Sequence, residues 1–236
     1  MKDKFNHNIY KSGINDNVNM LPGNPRGLPD ESFFKNNTSV NQEETLVFID
    51  EAFLSKLSKY FGGGKYIRFD RFVFANELAK KERCRLKQIF LYIAPPFQST
   101  IPSKEEEIKK EGYDKLILKL KQNNIIVREG RCQRLKIDNK FKYAQKAVDI
   151  LLAMDLMSVP KKYPSVRRII LISSDSDFVP LIHELEEQGI KTILYTYYDK
   201  KRDSDFSRSN HLIKSVYKYV LLNKEDFNNS LFDKEK

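Results

Sequence analysis

Four aspartates in this chain could do metal chemistry. Asp50 ends the apolar run Thr45-Leu-Val-Phe-Ile49, while Asp175 and Asp177 follow the run Arg168-Ile-Ile-Leu-Ile-Ser173. An acid at the tip of a buried strand has no apolar neighbour to satisfy it, but it can line a cleft. Two acids two residues apart at such a tip can face one crevice. Without His or Cys beside them, clustered carboxylate oxygens suit hard cations such as Mg²⁺ or Mn²⁺. A plainer reading is that Ser176 or Asp177 caps the helix that follows. The fourth acid, Asp149, lies in Lys146-Ala-Val-Asp-Ile-Leu-Leu-Ala-Met154, a helix whose other positions call for burial. A carboxylate there is costly unless it is paired or binds a metal, and Lys146 is its ordinary partner. Asp155, six residues on, is displaced about 9 Å along the axis and roughly 120° around it. It therefore belongs to a supporting or helix-end contact rather than to the same small site.

The elements that must position these acids alternate. Apolar runs at 45–49, 88–94, 125–127, 168–173 and 191–195 read as strands, and 51–60, 70–84, 105–122, 143–157 and 176–188 as helices. Apolar strands joined by crossover helices imply an α/β fold with a mostly parallel central sheet of about five strands, covered on both faces. Sites in such sheets form beyond the carboxyl ends of the strands. Residues 1–43 carry nine asparagines, three prolines and no apolar period, and are expected to form a flexible arm. The domain is expected over 44–199, with 200–236 a basic extension holding one amphipathic segment, His211 to Leu222.

Composition narrows the partners. Lys and Arg number 42 against 32 Asp and Glu, a net charge of +10, which favours nucleic acid. Candidate phosphate contacts are Lys146, Arg68 and Arg71, and Lys200, Lys201 and Arg202; Phe97 is a candidate base-stacking ring, although loop aromatics often pack locally. Only two cysteines, Cys84 and Cys132, and three histidines exclude a disulfide scaffold and a zinc finger. No stretch is long and apolar enough to span a membrane, so a cytoplasmic location is expected. Gly62-Gly-Gly-Lys65 lacks the spacing of a phosphate loop, and Asp203-Ser-Asp-Phe206 reads as a surface loop.

Taken together, Phe48-Ile-Asp50, Lys146-Ala-Val-Asp149 through Asp155, and Ser173-Ser-Asp-Ser-Asp-Phe-Val-Pro-Leu181 resemble the NYN domain, the LabA-like branch of the PIN-domain nucleases. The resemblance spans about residues 45–198. It implies a three-layer α/β/α PIN-like (Rossmann-like) fold and a Mg²⁺- or Mn²⁺-dependent nuclease. Such a nuclease would most often be an endoribonuclease, with RNA ahead of DNA as partner. The family's acidic ligands fall on Asp50, Asp149, Asp175 and Asp177, with Asp155, Lys146, Ser173 and Ser174 in supporting positions. The alternative is a weak or inactive module that binds nucleic acid or protein, and a homo-oligomer or protein partner through the terminal extensions stays open. The chain departs from the family at Phe53, where an Asn is usual, and at Ser174, where Gly is usual. Phe53 is then either a residue of the active site or part of the core.

Overall fold

The computed structural model describes residues 42–138, 140–199 and 206–232. At its centre is β1, Glu44–Asp50, whose residues 45–49 are all buried. A strand apolar on both faces must be covered on both faces. Leu46 and Phe48 point into one apolar layer with α4 (Val148–Lys162) and α5 (Val179–Glu187). Val47 and Ile49 point into the opposite layer, with α1 (Glu51–Phe61), α2 (Arg71–Lys81) and α3 (Lys104–Gln122). The three-layer α/β/α expectation holds.

The remaining strands of the sheet are β2 (Arg85–Ile93), β3 (Ile126–Glu129), β6 (Arg168–Ile172), β7 (Lys191–Thr196) and β8 (Lys218–Leu221). They pair in the order β3-β2-β1-β6-β7-β8, all parallel. The chain builds outward from β1 to β3, then returns across the sheet to β6 on the other side of β1. That reversal makes the β1–β6 junction the topological switch point, where open α/β sheets form their crevice. Ile49 pairs with Ile172, so Asp50 and Ser173 leave the sheet side by side.

The sheet has six strands rather than about five. The segment 211–222, expected to be one amphipathic stretch, is instead α6 (Asn210–Ser215) followed by β8. Leu212, Leu222 and Phe227 of the short helix α7 (Lys224–Asn228) are buried, so the chain beyond residue 200 contributes to this core. Lys218 of β8 reaches the buried Glu82 carboxylate at 2.7 Å, and Tyr195 donates to the same group at 2.8 Å. Phe206, placed with a surface loop by its sequence, is also buried, against Phe53, Tyr60 and Tyr197. Residues 1–41 and 200–205, hence most of the expected arm and Lys200, Lys201 and Arg202, lie outside the described residues.

A second difference lies between β3 and α4. An antiparallel ribbon of β4 (Arg131–Ile137) and β5 (Lys140–Lys146) takes up residues expected to start the helix. Ala147, with φ 67°, turns the chain from the ribbon into α4, which starts only at Val148. Nor is α4 apolar all round to a buried end, since Ile150 and Met154 are exposed.

Phe53 is 6% exposed, stands within the core and meets Phe206 edge-on at 6.5 Å. Its side chain is packing. Truncating a buried Phe to Ala typically removes about 3–5 kcal/mol, and Asn adds an amide without a partner. Phe53→Asn should therefore lower the urea unfolding free energy by several kcal/mol; a near-unchanged midpoint would contradict the packing assignment.

Candidate active site

Asp50 sits between two elements and is held by both. As the N-cap of α1 it accepts the Phe53 N–H at Oδ1 (3.2 Å). Its Oδ2 accepts the Ser173 hydroxyl at 3.2 Å. Ser173, fully buried just past β6, in turn accepts the Asp175 N–H at Oγ (3.2 Å). Asp175 then caps the short 3₁₀ turn Ser176–Phe178, accepting the Asp177 N–H at Oδ1 (2.9 Å). The cap before α5 is thus Asp175, not Ser176 or Asp177. A continuous hydrogen-bonded path runs from one strand tip to the next.

Electrostatics bring in the fourth acid. Burial pushes the Asp50 carboxyl up to about 6; the Phe53 N–H and the Ser173 hydroxyl pull it down, and the Asp149 charge raises it again. Asp149, in the first turn of α4, is also raised, by burial first and then by Asp175 and Asp177. Asp149 is therefore the member that feels acids from both strand tips. Three helical starts, those of α1, α4 and the 3₁₀ turn, carry these acids, and the partial positive charge at each offsets some of the repulsion. Among the described residues no group of three or more His, Cys, Asp or Glu stands arranged to hold one metal ion. The donor set is nonetheless all carboxylate oxygen, kept in mutual repulsion at one edge, which fits a hard divalent cation in chemistry. Asp149 and Asp177 are exposed, and neither carboxylate makes a hydrogen bond or ion pair among the described residues, so both are able to turn.

Other residues singled out by sequence are placed differently. Asp155 is buried, accepts the Tyr92 hydroxyl at 3.0 Å and lies 2.9 Å from Arg128 Nε, tying α4 to β2 and β3. Arg71 is not a free surface cation; it pairs with the buried Glu51 at 2.7 Å and lies over the Phe69 ring. Glu51 also accepts from Ser55, so it is a structural anchor of α1. Arg68, Lys146 and Ser174 are exposed, and Lys146 makes no ion pair with Asp149. Phe97 packs against Tyr143 of β5 at 5.6 Å, with the Arg134 guanidinium over its face. The glycines after α1 end that helix, Gly63 and Gly64 both having positive φ. Sequence reasoning missed the cationic ribbon, although its charge and aromatic content were plain to read.

The Asp50 shift has a measurable consequence in metal-free buffer. A carboxyl titrating near 6 in the native state and near 3.8 unfolded binds more protons when folded, so its contribution to stability is lost as pH rises from about 4 to about 6. Two pKa units correspond to about 3 kcal/mol. Asp50→Asn should thus gain on the wild type across that window by up to about 3 kcal/mol, read by denaturant unfolding at a series of pH values. A gap that does not change with pH would mean the buried charge is already compensated.

Comparison with known proteins bears on the fold and the family. A crystal structure of a Vibrio parahaemolyticus protein of unknown function, VPA0982, is similar with TM-score 0.52 at 18% identity, covering 80% of this chain and 98% of that one. That likeness concerns the fold alone. MurG of Acinetobacter baumannii aligns with TM-score 0.38 at 11% identity, over 82% of this chain and 44% of that one, which is too remote to argue from. No curated protein matches the sequence. The NYN domain family model matches residues 44–223, from the first residue of β1 to just beyond β8. That match takes in every strand of the sheet and all four aspartates: the chain belongs to the NYN domain family, within the PIN-like nuclease superfamily.

Proposed function

We propose that this protein is a divalent-metal-dependent endoribonuclease. The observation that carries the reading is a set of acids at the switch point with no cationic partner among the described residues: burial first, and then the Asp149 charge, raises Asp50 to about 6, and burial first, and then Asp175 and Asp177, raises Asp149. An enzyme that needs a cation keeps such acids together, whereas a stable scaffold gives each a positive partner. Asp50, Asp149 and Asp175 would hold Mg²⁺ or Mn²⁺. When bound, such an ion lowers the pKa of water and neutralises charge on phosphoryl oxygens. Ser173 fixes Asp50 in one orientation and links it to the Asp175 backbone. Asp177, exposed at the rim, would complete the shell of the ion or orient the attacking water, whose proton passes to solvent as the phosphorus–oxygen bond to the leaving group breaks. The leaving oxygen takes its proton from solvent. RNA is preferred to DNA on the strength of the family resemblance. No helix among the described residues is long and apolar enough to cross a membrane, and two free cysteines suit the reducing cytoplasm.

Two measurements test this. Mn²⁺ or Mg²⁺ should raise the melting temperature of the wild type, because a ligand of the native state stabilises it. The rise should shrink in Asp149→Asn and Asp175→Asn; identical shifts in all three proteins would remove those residues as ligands. Separately, Asp50→Asn and Asp177→Asn should abolish cleavage of labelled RNA while affinity stays equal or increases, since a repulsive charge is gone. Variants that bind far more weakly yet cleave the bound RNA at the wild-type rate would exclude a catalytic role.

A further inference from the structure

The ribbon of β4 and β5 carries a net charge half as large as that of the whole chain. Residues 131–146 contain Arg131, Arg134, Lys136, Lys140, Lys142 and Lys146 against the single acid Asp138, a net +5 of the total +10. All six cations are exposed, and among the described residues none is ion-paired; Arg134 alone feels a nearby acid, Glu106. By contrast Lys109, Lys110 and Lys115 of α3 each pair with an acid of the same helix. Two rings stand on the ribbon, Phe141 at 57% and Tyr143 at 58% exposure. They share one of its faces with Arg134 and Lys136, since Arg134 pairs with Tyr143 and Lys136 with Phe141. Arg134 lies 4.6 Å from both the Phe97 and the Phe141 ring centroids, so the rings and the cation form one stacked surface.

The position of the ribbon is fixed by topology and by contact. It is inserted where the chain returns from the carboxyl end of β3 to the start of α4, hence on the same edge of the sheet as Asp50. Gly130 at its root donates to the Ile93 carbonyl at 2.8 Å. A Cβ on Gly130 would come within 2.5 Å of the Lys146 carbonyl and 2.7 Å of Val148 Cγ2, so only glycine lets the root press against the first turn of α4. Asp149 is the next residue. Each arm of seven residues spans about 23 Å, enough to run along several nucleotides.

We infer that the β4–β5 ribbon is a docking surface for single-stranded nucleic acid, its lysines and arginines meeting phosphates and Phe141 and Tyr143 stacking on unpaired bases. Cations alone would fit any polyanion; two exposed rings on the face of Arg134 and Lys136, with the other four cations on the opposite face of the same narrow ribbon, fit a strand whose bases are unstacked. The inference rests on the nuclease reading of the acids for the identity of the polyanion.

The test is binding of the full-length chain to a labelled 20-nucleotide RNA in chelator, by fluorescence anisotropy over a range of salt. Lys136→Gln/Lys140→Gln/Lys142→Gln should weaken binding and flatten the slope of log affinity against log salt by about 2, from about 0.7 for each lost phosphate contact. Phe141→Ala/Tyr143→Ala should cost roughly tenfold or more in affinity for single strands, with the salt slope and duplex binding little changed. The control, Lys109→Gln/Lys110→Gln/Lys115→Gln, removes the same formal charge from lysines already paired and should change little. Equal losses in ribbon and control variants would overturn the proposal, as would full affinity in the ribbon variants. Competition by polyglutamate as strong as by RNA, with the ring variant unaffected, would assign the surface to an acidic protein and also overturn it. RNA affinity that depends on the ribbon in a wild type that never cleaves would sink the nuclease and keep the ribbon; cleavage with ribbon-independent affinity would do the reverse.

Discussion

A carboxylate at the end of a strand buried on both faces is the constraint on which this molecule turns. Between Leu46 and Ile49 β1 is apolar and fully buried, so Asp50 is the first position at the carboxyl end of the strand at which a charge is tolerable. Even there burial dominates its titration. Two donors make it bearable: the Phe53 N–H at the start of α1 and the Ser173 hydroxyl from the neighbouring strand. The second depends on the register of β1 with β6, which puts residues 50 and 173 abreast. A slip of that register would leave Asp50 without Ser173 and Ser173 without Asp50, both deep in the fold.

The sign of the partner separates acids that hold the structure from acids that define the site. Glu51 has Arg71, Asp155 has Arg128 and Tyr92, Glu82 has Lys218 and Tyr195, and Asp226 has Lys81. Each is buried and each joins two elements. Removing one partner of such a pair would strand a buried charge, which is why these contacts fasten α1 to α2, α4 to β3 and β8 to the end of α2. Asp50, Asp149, Asp175 and Asp177 have one another instead. A fold that neutralises four buried acids and, among the described residues, gives none of this group a cationic partner is poised for a cation from solution.

Strands and acids were legible in the sequence for different reasons. β1, β6 and β7 are continuous apolar runs because both faces are covered, and such runs announce themselves without knowledge of their neighbours. The acids were visible because they interrupt that pattern. The ribbon was missed although Leu135-Lys136-Ile137 and Lys140-Phe-Lys-Tyr143 alternate with period two, because it buries little and Tyr143 to Lys146 were absorbed into the helix that follows. β8 is an edge strand held by Glu82, a residue 136 positions earlier, and no local pattern reports such a contact. Phe53 shows the converse failure. The resemblance to the NYN family draws attention to residue 53 as a place for a polar group, yet its distance from Phe206 was a fact of three dimensions only. Ser55 and Arg71 likewise claim Glu51 for packing, across spacings that sequence alone does not rank.

The charge of the chain is segregated rather than merely positive, and the segregation has a physical rationale. A polyanion approaching the carboxyl edge of the sheet meets four carboxylates, each of which repels it at the ~8–10 Å range that salt leaves open. A uniform excess of lysine elsewhere on the surface could not offset that repulsion, because screening confines each charge to its own neighbourhood. Cations must stand within that range of the acids and must not be neutralised by acids of their own. The ribbon brings such cations to that edge: its root at Gly130, beside Arg131 and Lys146, presses against the start of α4 one residue from Asp149, and its six cations are not ion-paired among the described residues. In helix α3 three of the six lysines, Lys109, Lys110 and Lys115, are instead paired with acids of the same helix. Six cations thus stand beside five acids in helix α3 and beside one acid in the ribbon, and the ribbon carries the larger net field toward the acid cluster.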